Sequence, residues 1–246
     1  MKRSLLKATL LGLLITAGTA VPALAETLSL DFGDGGPTVT GRIIQLLAVL
    51  TVLSLAPSIL VMVTSFTRIV VVLSFVRTAL GTAQTPPNQV LVALALFLTL
   101  FVMTPTFETA YDDGLKPLIA GEIDEAKAFE RTIKPFATFM EQHVRTQDLA
   151  LFVDLAKLPA ETATENPPLR VLIPAFIISE LRRAFEIGFL IFVPFLIIDM
   201  VVASVLMSMG MMMLPPVMIA LPFKLIFFVL VDGWSLIVGS LVRSYG

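Results

Sequence analysis

Four charged side chains stand in stretches that are otherwise apolar: Arg68, Arg77, Asp199 and Lys224. At the centre of a membrane helix a charge costs roughly 2.5–3.5 kcal/mol. Such residues therefore face a bundle interior or an aqueous cavity, and they pair. Asp199 can pair with Lys224 or with an arginine, and its own run holds no second carboxylate for a proton relay. Lys224 follows Pro222-Phe223 and could snorkel, line a pore or pair, within a chain or between chains; pairing is the expectation. A second group of charges, Glu180, Arg182, Arg183 and Glu186, has helical spacing. Arg182–Glu186 is an i,i+4 pair and Glu180–Arg183 an i,i+3 pair, so local ion pairs are expected there.

Other chemistry is excluded by what is missing. The 246 residues contain no cysteine and one histidine, His143. Thiolate nucleophiles, zinc ribbons and two-histidine metal motifs are therefore ruled out within one chain. There is no G-x-x-x-x-G-K-[ST] loop for nucleotide phosphates and no G-x-S-x-G nucleophile elbow. With a net charge of −2 and no long basic tract, nothing fits a nucleic acid. No metal, no cofactor and no enzymatic activity are expected.

Methionine is the more informative residue. Seven of the eleven methionines lie between Met200 and Met218, among them the triplet Met211-Met212-Met213. Gly210 precedes the triplet and Pro215-Pro216 follows it, which marks a turn. Methionine is soft and unbranched, so it fills core gaps and also re-packs around changing partners. Three in a row on a turn point in three directions, which is awkward for core filling. A ring of such loops could close a pore by excluding water.

The elements that must hold these residues are helices in an apolar setting. The chain is 57% hydrophobic and 15% charged, against about 25% charged for a soluble domain. Its mean hydropathy is +0.92. That composition argues against an ordinary soluble enzyme and against disorder. A spanning helix needs about 20 apolar residues, and four runs supply them: Ile43–Val63, Asn88–Phe107, Ile187–Met207 and Met211–Val231. The prolines Pro215, Pro216 and Pro222 make the last one irregular. The segment from Ser65 to Arg77 is expected to continue the first helix, with Arg68 and Arg77 on opposite faces at about 100° per residue.

At the N-terminus Lys2, Arg3 and Lys7 precede a short apolar stretch, and Ala23-Leu24-Ala25 then gives an A-x-A site. This is the pattern of a secretory signal cleaved after Ala25. The mature N-terminus would lie outside, with Arg68 and Arg77 in an inner loop as the positive-inside rule asks. Residues 106–170 carry 12 acids and 7 bases and would lie outside as well. Within them, Gly121–Lys157 reads as helical, with Phe129, Ile133, Phe136, Met140 and Val144 on one apolar face. That face would either pack on its own chain or dock related subunits. Pro159, Pro167 and Pro168 bound the polar linker Ala160–Asn166. Trp234, after Gly233, reads as an interfacial anchor.

The expected fold is all-α: membrane-associated helical hairpins, with four hydrophobic spans and a helical extracytoplasmic segment. The expected divisions are a signal peptide (1–25), a short mature N-terminal segment (26–41), a first hydrophobic hairpin (42–105), the polar helical segment (106–170) and a second hairpin with the methionine loop (171–246).

Two runs carry a family resemblance. Pro174 to Phe189, which includes Glu180-Leu181-Arg182-Arg183-Ala184-Phe185-Glu186 and Gly188, resembles the first signature of the FliP family of the bacterial flagellar type III export gate. Pro222 to Trp234, which includes Lys224, Asp232 and Gly233, resembles the second. Thr64–Gly81, Pro86–Met103 and Gly210–Pro216 are also similar, so the resemblance covers about Arg42 to Tyr245. It implies a pentamer-like ring with FliQ-like and FliR-like subunits in the bacterial inner membrane, within the flagellar basal body. The ring would admit unfolded flagellar substrates, work with FlhA-like and FlhB-like export components, and draw its energy from elsewhere. It also implies that Met211, Met212 and Met213 form the gasket, and that the hairpins pack partly above the membrane plane. The buried charges would then find intersubunit partners. Virulence-secretion relatives share both signatures but generally lack a cleaved signal, so the N-terminus favours the flagellar branch. A small secondary transporter is the alternative of a different class; it predicts internal repeats, and none is clear.

Overall fold

The computed structural model describes residues 39–82, 84–159, 167–211 and 213–246. The signal-peptide reading, nearly all of the short segment after it, Met212 and the Ala160–Asn166 linker lie outside the described residues. The chain divides into two units at Val49, and every core cluster among the described residues belongs to the second, Leu50–Gly246. Helix α1, Val39–Met62, runs across that division.

Every regular element among the described residues is helical: α2 Phe66–Leu80, α3 Asn88–Ala110, α4 Lys116–Ile119, α5 Glu125–His143, α6 Thr146–Leu155, α7 Leu169–Ser208, α8 Pro216–Leu230 and α9 Gly233–Arg243. A π-helical turn, Tyr111–Leu115, joins α3 to α4. Three helices are long and apolar enough to cross a membrane, and α8 with α9 makes a fourth candidate if the two count as one bent span. Where water is absent the backbone must satisfy itself, so apolar runs of this length become helices.

The structure corrects three expectations. First, α1 does not continue through Arg68. It stops at Met62, and Thr64 makes the break: its Oγ1 accepts from the Phe66 N–H at 3.4 Å and donates to the Val61 carbonyl at 3.2 Å. A threonine that bonds the nearby backbone competes with the helical ladder. Second, the fourth apolar run, expected to be irregular, does not reach Val231 as one straight span after the methionine turn. Its helix starts at Pro216, where the missing proline N–H costs nothing, and it turns by 62° into α9. Asp232 makes the bend with a left-handed φ of 50°. Third, Phe129 is exposed, and the buried residues of α5 include Phe139 beside Met140.

Helix α7 is the spine. At 40 residues it is about 60 Å long at 1.5 Å per residue, roughly twice a bilayer's hydrocarbon thickness. Its first third packs Leu172 and Phe176 against Met103 of α3 and Phe139 and Met140 of α5. Its middle sets Ala184 among Ile69, Val72 and Leu73 of α2, Leu91 and Ala95 of α3, and Leu241 of α9. Further on, Phe195 meets Val76, Ala79 and Leu80 of α2 and Phe228 of α8. Gly188 lets α7 pass close to α2: a Cβ there would stand 2.5 Å from the Phe75 ring.

Candidate functional site

Two buried charge pairs stand in this frame. The first joins α2 to α7. Arg68 is 1% exposed and Glu180 fully buried. The Arg68 Nε donates to Glu180 Oε2 at 2.9 Å, and its Nη2 is paired with Glu180 Oε1. A fork-on-carboxylate contact of this kind fixes geometry as well as charge. The chain's last residues complete the shell. Arg68 Nη1 donates to the Ser244 carbonyl at 3.2 Å and to Ser244 Oγ at 2.9 Å. The guanidinium lies 3.8 Å over the Tyr245 ring, while the Tyr245 hydroxyl donates to Glu180 Oε2 and lies 3.3 Å from the Ser65 carbonyl. Burial, with the Glu180 carboxylate next to it, pushes the Tyr245 phenol well above its usual range, so it remains a donor. His143 brings α5 to the same place: its Nδ1 lies 2.7 Å from the Phe139 carbonyl and its Nε2 3.2 Å from the Tyr245 carbonyl.

The second pair joins α7 to α8. Lys224 Nζ donates to Asp199 Oδ2 at 2.6 Å and to the Ala79 carbonyl at 3.3 Å. Lys224 is buried, but the Asp199 side chain is 32% exposed. Its other oxygen, Oδ1, is shielded from solvent and has no partner among the described residues.

The remaining charges behave differently. Arg182 pairs with Glu186 at 3.1 Å, with both side chains exposed. Glu180 is not the partner of Arg183: it points the other way, to Arg68, because that face of α7 packs on α2. Arg77 is half-buried, like Arg183, and neither has an ion pair among the described residues.

The turn between α7 and α8 carries the methionines. Gly210, at a left-handed φ of 75°, ends the helix, and its N–H reaches the Met207 carbonyl at 3.1 Å. Met207, Met209, Met211, Met213 and Met218 are all exposed, Met213 to 99%. Below the turn, Ile197, Val201, Phe223 and Phe227 help line an almost wholly apolar cavity of about 550 Å³ between α7 and α8.

The signature residues sit on the same helices. Pro174 lies inside α7 and Pro222 inside α8. Phe185 is exposed and meets the Phe75 ring edge-on at 5.1 Å. Gly233 is buried, and the Phe228 ring occupies the place a Cβ would take, 2.3 Å away. Trp234 meets Phe228 edge-on at 5.3 Å. Sequence reasoning missed Ser244 and Tyr245 as partners of the first pair, and His143 as a contact of Tyr245; the nearest signal was the tyrosine itself. Among the described residues no group of three or more acidic, histidine or cysteine side chains could hold a metal.

A flagellar biosynthetic protein FliP from Caulobacter vibrioides is 58% identical over 231 residues, covering 94% of this chain and 86% of that protein. A flagellar biosynthetic protein FliP from Bacillus subtilis is 56% identical over 214 residues, 87% of this chain and 97% of its own. One from Aquifex aeolicus is 50% identical over 237 residues, 96% and 98%. The model of the FliP family matches residues 49–241, a range that holds Arg68, Glu180, Asp199, Lys224 and the methionine turn: the chain belongs to the FliP family.

Proposed function

We propose that the chain is a non-enzymatic core subunit of the flagellar type III protein export gate, set in the bacterial inner membrane within the basal body. Copies of it would form a ring with FliQ-like and FliR-like subunits and hand over unfolded flagellar proteins alongside FlhA-like and FlhB-like components. The names of the relatives support the flagellar branch over a virulence system or a solute transporter. Large apolar side chains exposed along α1, α3, α7 and α8 support assembly. Contiguous apolar surface beyond a few hundred Å² marks a contact surface, and lipid or sister subunits would cover these helices.

The observation that carries the reading is the methionine turn. An apolar side chain almost fully exposed at a tip bracketed by Gly210 and Pro215-Pro216 has no packing role in its own chain. Arranged around an axis, such tips exclude water when closed, and thioether side chains yield to a passing chain. The test replaces Met211, Met212 and Met213 with glycine and measures leakage of small solutes through assembled complexes. Leakage with intact assembly is expected. A tight complex that assembles normally without the methionines would remove the gasket role.

A further inference from the structure

The methionines outside the N-terminal segment differ sharply in what surrounds their sulfur. Met103 of α3 and Met140 of α5 are fully buried, packed with Phe139, Leu172 and Phe176. Met207, Met209, Met211, Met213 and Met218, at the turn between α7 and α8, are all exposed, Met213 almost completely. The chain has no cysteine, so no thiol in it competes for a two-electron oxidant. An oxidant must reach the sulfur, and exposure therefore decides which thioethers react.

The turn can accept an oxidised side chain. Its own hydrogen bonds run between backbone groups: the Met211 N–H donates to the Leu206 carbonyl at 3.0 Å, and the Leu214 N–H to the Met211 carbonyl at 3.4 Å. An oxygen added to the Met211 or Met213 sulfur leaves those bonds in place. The same oxygen on Met103 or Met140 would enter close-packed apolar contacts. Pro215 and Pro216 have no N–H to offer it, so water must solvate it. Methionine sulfoxide is polar where the thioether is apolar, and a closure that works by excluding water needs the apolar form.

We infer that Met211 and Met213 form an oxidation-sensitive site, at which a hydroperoxide converts thioether to sulfoxide and thereby wets the gasket. The sulfur lone pair attacks one peroxide oxygen. An S–O bond forms as the O–O bond breaks, the sulfur gives up two electrons, and the other oxygen leaves as water or an alcohol after taking up the proton. The inference deepens the gasket reading and rests on it: a channel-facing tip is reached by small oxidants from the lumen.

The test treats the complex assembled with its sister subunits with hydrogen peroxide. Peptide mass spectrometry reads the sulfoxide at each methionine, and leakage of small solutes is followed in parallel. Met211 and Met213 should oxidise at least about tenfold faster than Met103 and Met140, which solvent does not reach, and leakage should rise as they do. The variant Met211→Leu/Met212→Leu/Met213→Leu keeps an apolar tip without sulfur and should stay tight before and after peroxide. Equal oxidation rates at the turn and in the core overturn the site. Complete sulfoxide at Met211 and Met213 without added leakage, while the glycine variant leaks, overturns the inference and leaves the gasket reading standing. A glycine variant that is itself tight removes the gasket reading and this inference with it. Peroxide-induced leakage of the leucine variant equal to that of the wild type also overturns it, since damage elsewhere would then open the complex.

Discussion

The two buried charge pairs on α7 differ in how completely this chain surrounds them. Around Arg68 and Glu180 the shell is closed: α2, α7 and the C-terminal residues meet, and both ions are almost fully hidden. Around Asp199 and Lys224 the shell is open: one carboxylate oxygen has no partner among the described residues, and the helices run on into an exposed methionine turn. Burying charge repays its cost only when remaining hydrogen-bond capacity is used. The first region meets that condition within one chain. The second leaves a shielded carboxylate oxygen without a partner among the described residues, beside an exposed apolar surface.

The contrast can be broken by mutation. Arg68→Met leaves the Glu180 carboxylate buried without its cation, an expected loss of about 3–5 kcal/mol. Thermal unfolding of the detergent-solubilised chain reads it, and the double variant Arg68→Met/Glu180→Leu should recover much of it. Gly188→Ala pushes a methyl into the Phe75 ring between the two regions. It should cost about 1–3 kcal/mol by overpacking, and Gly188→Ala/Phe75→Leu should restore part of that. Lys224→Met should cost the isolated chain only about 1–2 kcal/mol, the range of a charged hydrogen bond reduced by solvent at the partly exposed Asp199. The same variant should lower the yield of assembled complex, measured by size-exclusion chromatography, more than this loss of stability implies. If Lys224→Met destabilises the lone chain as much as Arg68→Met does, the two regions are equivalent and the contrast fails. Smallest of all, Arg182→Ala breaks an exposed pair worth about 0.2–1 kcal/mol, and unfolding should barely register it.

Much of the helical architecture was legible from composition and punctuation. The first three apolar runs correspond to helices, and Gly210 with Pro215-Pro216 marks the turn. The partner of Asp199 was one of a few candidates, because so few cations occur in the apolar runs. The break at Thr64 was not legible, because a single threonine hydroxyl decides it and no proline or glycine announces it. Nor was the choice between Arg68 and Arg77. Both lie on the same helix in similar surroundings, yet only the face carrying Arg68 meets Glu180. Local spacing offered Arg183 to Glu180, and packing overruled it.

By itself the sequence determined that the chain is helical and apolar, where the methionine turn falls, and which charges need partners. These follow from backbone hydrogen bonding and from the cost of charge in an apolar medium, both of which act over short stretches. Only the tertiary structure decided which charges meet. Arg68 and Glu180 are 112 residues apart in the chain, and Tyr245 reaches both from its far end. Contacts of that kind depend on how helices cross and which faces they bury, and these are set by the packing of the whole bundle.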